Sequence, residues 1–228
     1  MTAFYYTLIP VLAVLLGAIA TAIRRPGPAM TSAIQHLAAG VVFAAAATEI
    51  LPDVMHSGSA IATLVGGALG MLVMLGLKSA EERFHGPLAM IGAMGTDLLI
   101  DGLVLGLAFA AGARAGLLLT IALTLEVLFL GVTVSEELGQ TIRSKVRIVV
   151  MTVALALLMP LGTLIALPVA ALPAVWVTGF LSFGLIALLY LVTEELLVEA
   201  HTKPDSPLIS AMFFVGFLAL LTLEEVTA

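Results

Sequence analysis

Long apolar runs, each ended by a short cluster of charge, proline or glycine, recur along this chain. They cover roughly residues 4–23, 32–51, 60–78, 88–110, 116–138, 146–167, 174–198 and 208–224, each near the ~20 residues that cross a hydrocarbon core as a helix. The connections between them are short, and no stretch is left over for a soluble domain. The pattern predicts an all-α, polytopic membrane protein of eight transmembrane helices, with residues 1–228 forming one membrane domain.

Composition agrees with that pattern. Hydrophobic residues make up 61% of the chain and charged residues 11%, against about a quarter charged in soluble domains; the mean hydropathy is +1.20. The absence of cysteine excludes disulfides, thiolate metal sites and cysteine nucleophiles. Basic residues follow the first apolar run, at Arg24 and Arg25, instead of preceding it. A cleaved signal peptide carries its positive charge in front, so the first run is read as a retained span.

Charge also sets orientation. Arg24, Arg25, Lys78, Arg83, Arg143, Lys145, Arg147 and Lys203 all fall at alternate connections, and only Arg114 lies on the other side. The positive-inside rule then places those connections in the cytoplasm and both termini outside.

The fourth run contains Gly95-Thr96-Asp97-Leu98-Leu99-Ile100-Asp101-Gly102. Asp97 and Asp101 are four residues apart, hence on one helix face, one turn above the other. Glu126 lies close to the centre of the fifth run, which follows after a tight turn and packs antiparallel beside the fourth. Three carboxylates therefore meet near the midplane, where each charge costs at least ~2.5 kcal/mol on insertion scales. Every Lys and Arg sits at a helix end or in a loop, so the partner is a cation from solution, or protons. An oxygen-rich cage suits divalent metals. As bare hydrogen-bonded glue the trio is a poor return, since interhelical polar bonds in membranes average only ~0.6 kcal/mol.

Other polar positions extend this path. Glu49 and Asp53 end the second run, Glu194 and Glu195 lie near the end of the seventh, and Glu136 and Glu137 close the fifth; all six are candidate pathway groups. Glu199 and His201 read as a solvated helix end, His36 and His85 as interfacial, and Glu224 and Glu225 as a chain end. Pro160 and Gly162 interrupt the sixth run, as proline does where its freed carbonyl faces protein or a wet cavity. Gly95 and Gly102 allow close helix approach, and Gly106 serves plain packing. Glu49-Ile50-Leu51-Pro52-Asp53-Val54 and Glu195-Leu196-Leu197-Val198-Glu199-Ala200 form a short repeat at opposite faces, as inverted repeats require. There is no H-E-x-x-H, no G-x-S-x-G and no aspartyl pair split between two helices, so the chain is not read as an enzyme.

Taken together these motifs resemble the ZIP (Zrt/Irt-like) family of divalent metal transporters, over nearly the whole chain. The carriers are His36 to Gly40 through Glu49-Ile50-Leu51-Pro52-Asp53, Pro160 with Gly162, and Gly184 through Tyr190 to Glu194-Glu195-Leu196-Leu197-Val198-Glu199-Ala200-His201. The metal motifs depart from the family's. Where it carries H-N-x-P-E-G, this chain has Asp97, Leu98, Leu99, Ile100, Asp101 and Gly102; Leu130 and Met159 stand where it has glutamates. The resemblance implies a 3+2+3 inverted-repeat architecture and uptake toward the cytoplasm by alternating access. In that motion helices one, four, five and six move against two, three, seven and eight. It implies a divalent transition-metal ion as substrate, zinc first and then iron, manganese or cadmium, with no cofactor. Asp97, Asp101 and Glu126 would be its ligands, with Met159 as a soft addition. The expected surroundings are the bacterial-type inner (plasma) membrane, its lipid and no nucleic acid, with a homodimer left open. Two rival readings use the same acids: a transport-inactive metal binder or sensor, and a proton or organic-cation carrier.

Overall fold

The structure, a computed structural model, describes residues 2–23, 26–56, 59–83, 87–202 and 206–227, with the backbone alone at 2, 81, 82, 87–90, 137 and 140. Arg24, Arg25, His85 and Lys203 lie outside the described residues. Among those described, eight helices are long and apolar enough to cross a membrane. They are α1 (Ala3–Ile23), α2 (Pro28–His56), α3 (Ala60–Arg83), α4 (Pro87–Ala111), α5 (Ala113–Thr141), α6 (Lys145–Ala170), α7 (Ala174–His201) and α8 (Pro207–Thr227). This is a multi-pass membrane protein.

Local sequence explains the helix starts. Pro28 and Pro207 occupy first-turn positions, where the missing N–H is no loss. Ser144 and Ser206 cap α6 and α8 by accepting from the backbone N–H of Arg147 and Ile209, at 3.4 and 3.3 Å, which satisfies donors that lipid cannot. Lys145 donates to the carbonyl of Ala22 at the end of α1, and Arg114 donates to that of Glu224 near the end of α8, at 2.7 Å. Each places a cation at the negative end of a helix dipole.

α2 and α3 extend past the hydropathy reading, to Pro28–His56 and to Arg83, and two further boundaries shift for local reasons. The expected turn over residues 111–115 shrinks to Gly112, so α4 and α5 both run longer. The break in α6 falls at Leu157, three residues before Pro160. Pro160 has no N–H to offer the carbonyl of Ala156, four residues back, and the winding loosens between them.

α4 and α5 are the most buried spans, at 61% each, and α8 the least, at 11%. Helices α1, α4, α5 and α6 pack on one another, most closely α4 on α6 and α1 on α5. Helices α2, α3, α7 and α8 form a second group built on the pairs α2–α8 and α3–α7. The groups meet where α2 touches α5 and α4 touches α7. Glycines set the closest approaches: a Cβ on Gly102 would strike the Met159 carbonyl oxygen, and one on Gly162 the Leu99 carbonyl oxygen. Thr163 also crosses this seam, donating to the Gly102 carbonyl at 2.9 Å.

Both α2 and α7 contain a wide π-helical turn, Ala46–Ile50 and Leu191–Leu196. Such turns hold an extra residue and concentrate at functional sites. Glu49 sits in the first, Glu194 and Glu195 in the second.

Candidate functional site

Asp97 and Asp101 flank Leu99, the central residue of α4, and Glu126 lies one residue from the centre of α5. Counting at ~1.5 Å per residue, Asp97 is roughly 15 Å and Asp101 roughly 21 Å from the start of α4, which places both near mid-span. The antiparallel α4–α5 pair brings the three together. One carboxylate oxygen from each lies within 4.8 Å of the others, and the residues are 7%, 1% and 1% exposed. Among the described residues this is the cluster of three or more His, Cys, Asp or Glu with spacing suited to a metal. Oxygens bound to one ion at ~2.0–2.6 Å are at most ~4–5 Å apart, so the trio has the compactness of a coordination shell. Oδ2 of Asp101 and both oxygens of Glu126 are buried without a hydrogen-bond partner, a state that costs free energy unless something positive is received.

The cage opens to one side. A cavity of about 100 Å³ is lined by Asp97 and Glu126, by Lys78 of α3, by Thr133 of α5, and by Glu195 and Glu199 of α7; it has room for several waters. Its mouth lies at the end of the molecule carrying the α3–α4, α5–α6 and α7–α8 connections. Glu195 is exposed to this space and close enough to act electrostatically on Asp97, Asp101 and Glu126. Neighbouring Glu194 instead meets Lys78: Nζ lies 3.6 Å from its Oε2, donates to its carbonyl at 3.2 Å, and stands 5.8 Å from the Tyr190 ring centre. The adjacent glutamates thus face different ways, as a helical offset of about 100° requires.

At the other end, Arg114 pairs with Glu224 at 3.6 Å, joining α5 of one helix group to α8 of the other. Half-buried Glu49 is within electrostatic reach of Glu224, Arg114 and Asp53. His56, beside them in sequence, folds back on its own helix through Nδ1 and the Pro52 carbonyl, 2.7 Å apart.

The remaining expected site residues fall as follows. Met159 is buried and packs by its backbone on Gly102, but does not line the cavity. Glu136 is half-buried and also off the cavity, and the side chain of Glu137 lies outside the described residues. Gly95 faces Leu158 and Leu155 of α6. His36, expected at the interface, is enclosed between α2 and the end of α7 at 1% exposure. Glu199 lines the cavity, and Glu224 is an ion-pair partner; neither is just a solvated chain end. Lys78 is the cavity-lining position that hydropathy hides, because a lysine at a helix end carries no mark of the direction it points. No protein-family model matches the chain, and no curated protein matches it.

Proposed function

We propose that this protein is a divalent transition-metal cation transporter that moves its ion toward the cytoplasm by alternating access, with Asp97, Asp101 and Glu126 as the midplane ligands. The observation that carries the reading is the convergence of three buried carboxylates, three of whose oxygens lack hydrogen-bond partners, at the head of a cavity open to one side. At an effective dielectric of about 20, each pair of carboxylates 4.8 Å apart repels by ~3.5 kcal/mol. A resident arrangement of that cost is retained for an ion that comes and goes. Zinc is the first candidate; an all-oxygen cage also takes manganese, iron or cadmium.

The resemblance to ZIP transporters supports the mechanism, as does the packing. Exchanging helix one with six, two with seven, three with eight and four with five carries the close pair α1–α5 onto α6–α4 and α2–α8 onto α7–α3. It also carries one π turn onto the other. That is the bookkeeping of a 3+2+3 inverted repeat, whose halves rock about a fixed midplane site. The open cavity lies on the lysine- and arginine-rich side, which the positive-inside rule assigns to the cytoplasm of the plasma membrane, with both termini outside. Arg114 and Glu224 close the opposite side.

The test is flux into proteoliposomes carrying a zinc-sensitive dye. Asp97→Ala, Asp101→Ala and Glu126→Ala should each abolish zinc-dependent flux while the protein remains inserted and monodisperse. Wild-type rates in all three would overturn the cage. Binding without flux in the wild type favours a metal-binding or sensing role, and flux indifferent to transition metals favours a proton or organic-cation carrier.

A further inference from the structure

We propose a second metal site, made of imidazole nitrogen instead of oxygen, where the start of α2 meets the end of α7: His36 and His201, binding a borderline divalent cation such as zinc. The two ring centres are 5.0 Å apart with planes at 70°. Two imidazoles sharing one tetrahedral ion through Nε2, at ~2.0–2.1 Å each, hold their ring centres roughly 5.2 Å apart. The observed separation is close to that of such a pair.

The tautomers are fixed by the backbone. Nδ1 of His36 lies 2.9 Å from the Ser32 carbonyl, and Nδ1 of His201 lies 2.5 Å from the Leu197 carbonyl. A carbonyl only accepts, so each Nδ1 is the donor, and in the neutral ring Nε2 is the nitrogen able to ligate. Orientation of one ring nitrogen by a backbone carbonyl is the usual support of a ligating histidine. Nε2 of His36 is buried with no hydrogen-bond partner, a loss that packing alone leaves uncompensated. The frame is held as well: Ser32 Oγ donates to the Ala200 carbonyl at 3.0 Å, tying the two helix ends one residue from His201.

Two protein nitrogens leave two tetrahedral positions for water. Nitrogen ligands select zinc, copper or nickel over magnesium and calcium. The site lies two residues beyond Glu199, which lines the cavity. An ion leaving the carboxylates would meet nitrogen next; that use rests on the transport reading, whereas binding itself does not.

The experiment uses full-length protein in detergent, made without a histidine tag, with the cage disabled by Asp101→Asn and Glu126→Gln. One equivalent of zinc should shift the imidazole nitrogen signals of His36 and His201 together, and magnesium should shift neither. His201→Gln, at an exposed position, should weaken zinc binding at least tenfold by calorimetry and abolish the His36 shift. Zinc that leaves His36 unmoved, or affinity unchanged in His201→Gln, would show a packed ring pair and overturn the site. Because the cage is already disabled, failure here leaves the carboxylate reading untouched. Failure of that reading would appear separately, as equal zinc stoichiometry in the wild type and the cage variant.

Discussion

Replacing Asp101 by asparagine keeps the shape of the side chain and removes one of three charges that share a site less than 4.8 Å across. Two of the three repulsive pairs vanish, and at ~3.5 kcal/mol each the ceiling on relief is about 7 kcal/mol. Protons held by the empty cage lower that figure. The metal-free variant should therefore melt higher than the metal-free wild type. Zinc acts in the opposite sense. Bound at about a hundred times its Kd, it stabilises the wild type by ~2.7 kcal/mol, which for a chain of this size raises Tm by roughly 5–10 °C. The asparagine variant, with one ligand charge gone, should show almost none of that rise. Thermal unfolding in detergent, with zinc and with chelator, reads both effects in one experiment. A variant that melts lower than wild type without metal and still gains the full zinc shift would refute the argument, because Asp101 would then be a structural hydrogen-bonding group.

Other predictions follow from neighbouring features. Glu195→Gln should slow zinc flux severalfold while leaving stoichiometric binding at the cage, since Glu195 lines the way out and is not one of the three clustered ligands; loss of binding would put it in the cage. Arg114→Gln should free the end opposite the cavity, and with no native cysteine a single Thr48→Cys probe should label faster in that background; unchanged labelling would mean that the Arg114–Glu224 pair does not close that end. Gly102→Ala should lower Tm by several degrees, because the new methyl collides with the Met159 carbonyl and overpacking costs about 1–3 kcal/mol. An unchanged Tm would show that the α4–α6 seam yields freely.

Much of this was legible in the residues, and the part that was not has a common cause. Partition into lipid depends on summed apolarity, so the eight spans could be read from runs of Leu, Ala and Val. A four-residue spacing on one helix and a short turn to the next also suffice to bring Asp97, Asp101 and Glu126 together. What hydropathy leaves out is azimuth. Lys78 looks like any terminal lysine until α3 is seen to pack on α7, which aims it at Glu194 and the cavity. His36 looks interfacial because it begins a span, yet the end of α7 covers it. The clasp between Arg114 and Glu224 joins residues 110 apart in sequence, and only tertiary packing selects that pairing. The break at Leu157 shows a proline acting a turn upstream of its own position.

The wide turns in α2 and α7 mark where the protein could lose a single residue and keep its register. Removing one amino acid from Leu191–Leu196 would let that coil tighten to ordinary winding, because the wide turn already absorbs one residue more than an α-turn. The segments on either side would keep their phase, so Glu199 would stay on the cavity and His201 beside His36. What would go is the local bulge that turns Glu194 to Lys78 and Glu195 to the cavity. Winding here is thus a functional quantity, and a deletion that no hydropathy profile registers would flatten the acidic display beside the cage in a protein that still inserts.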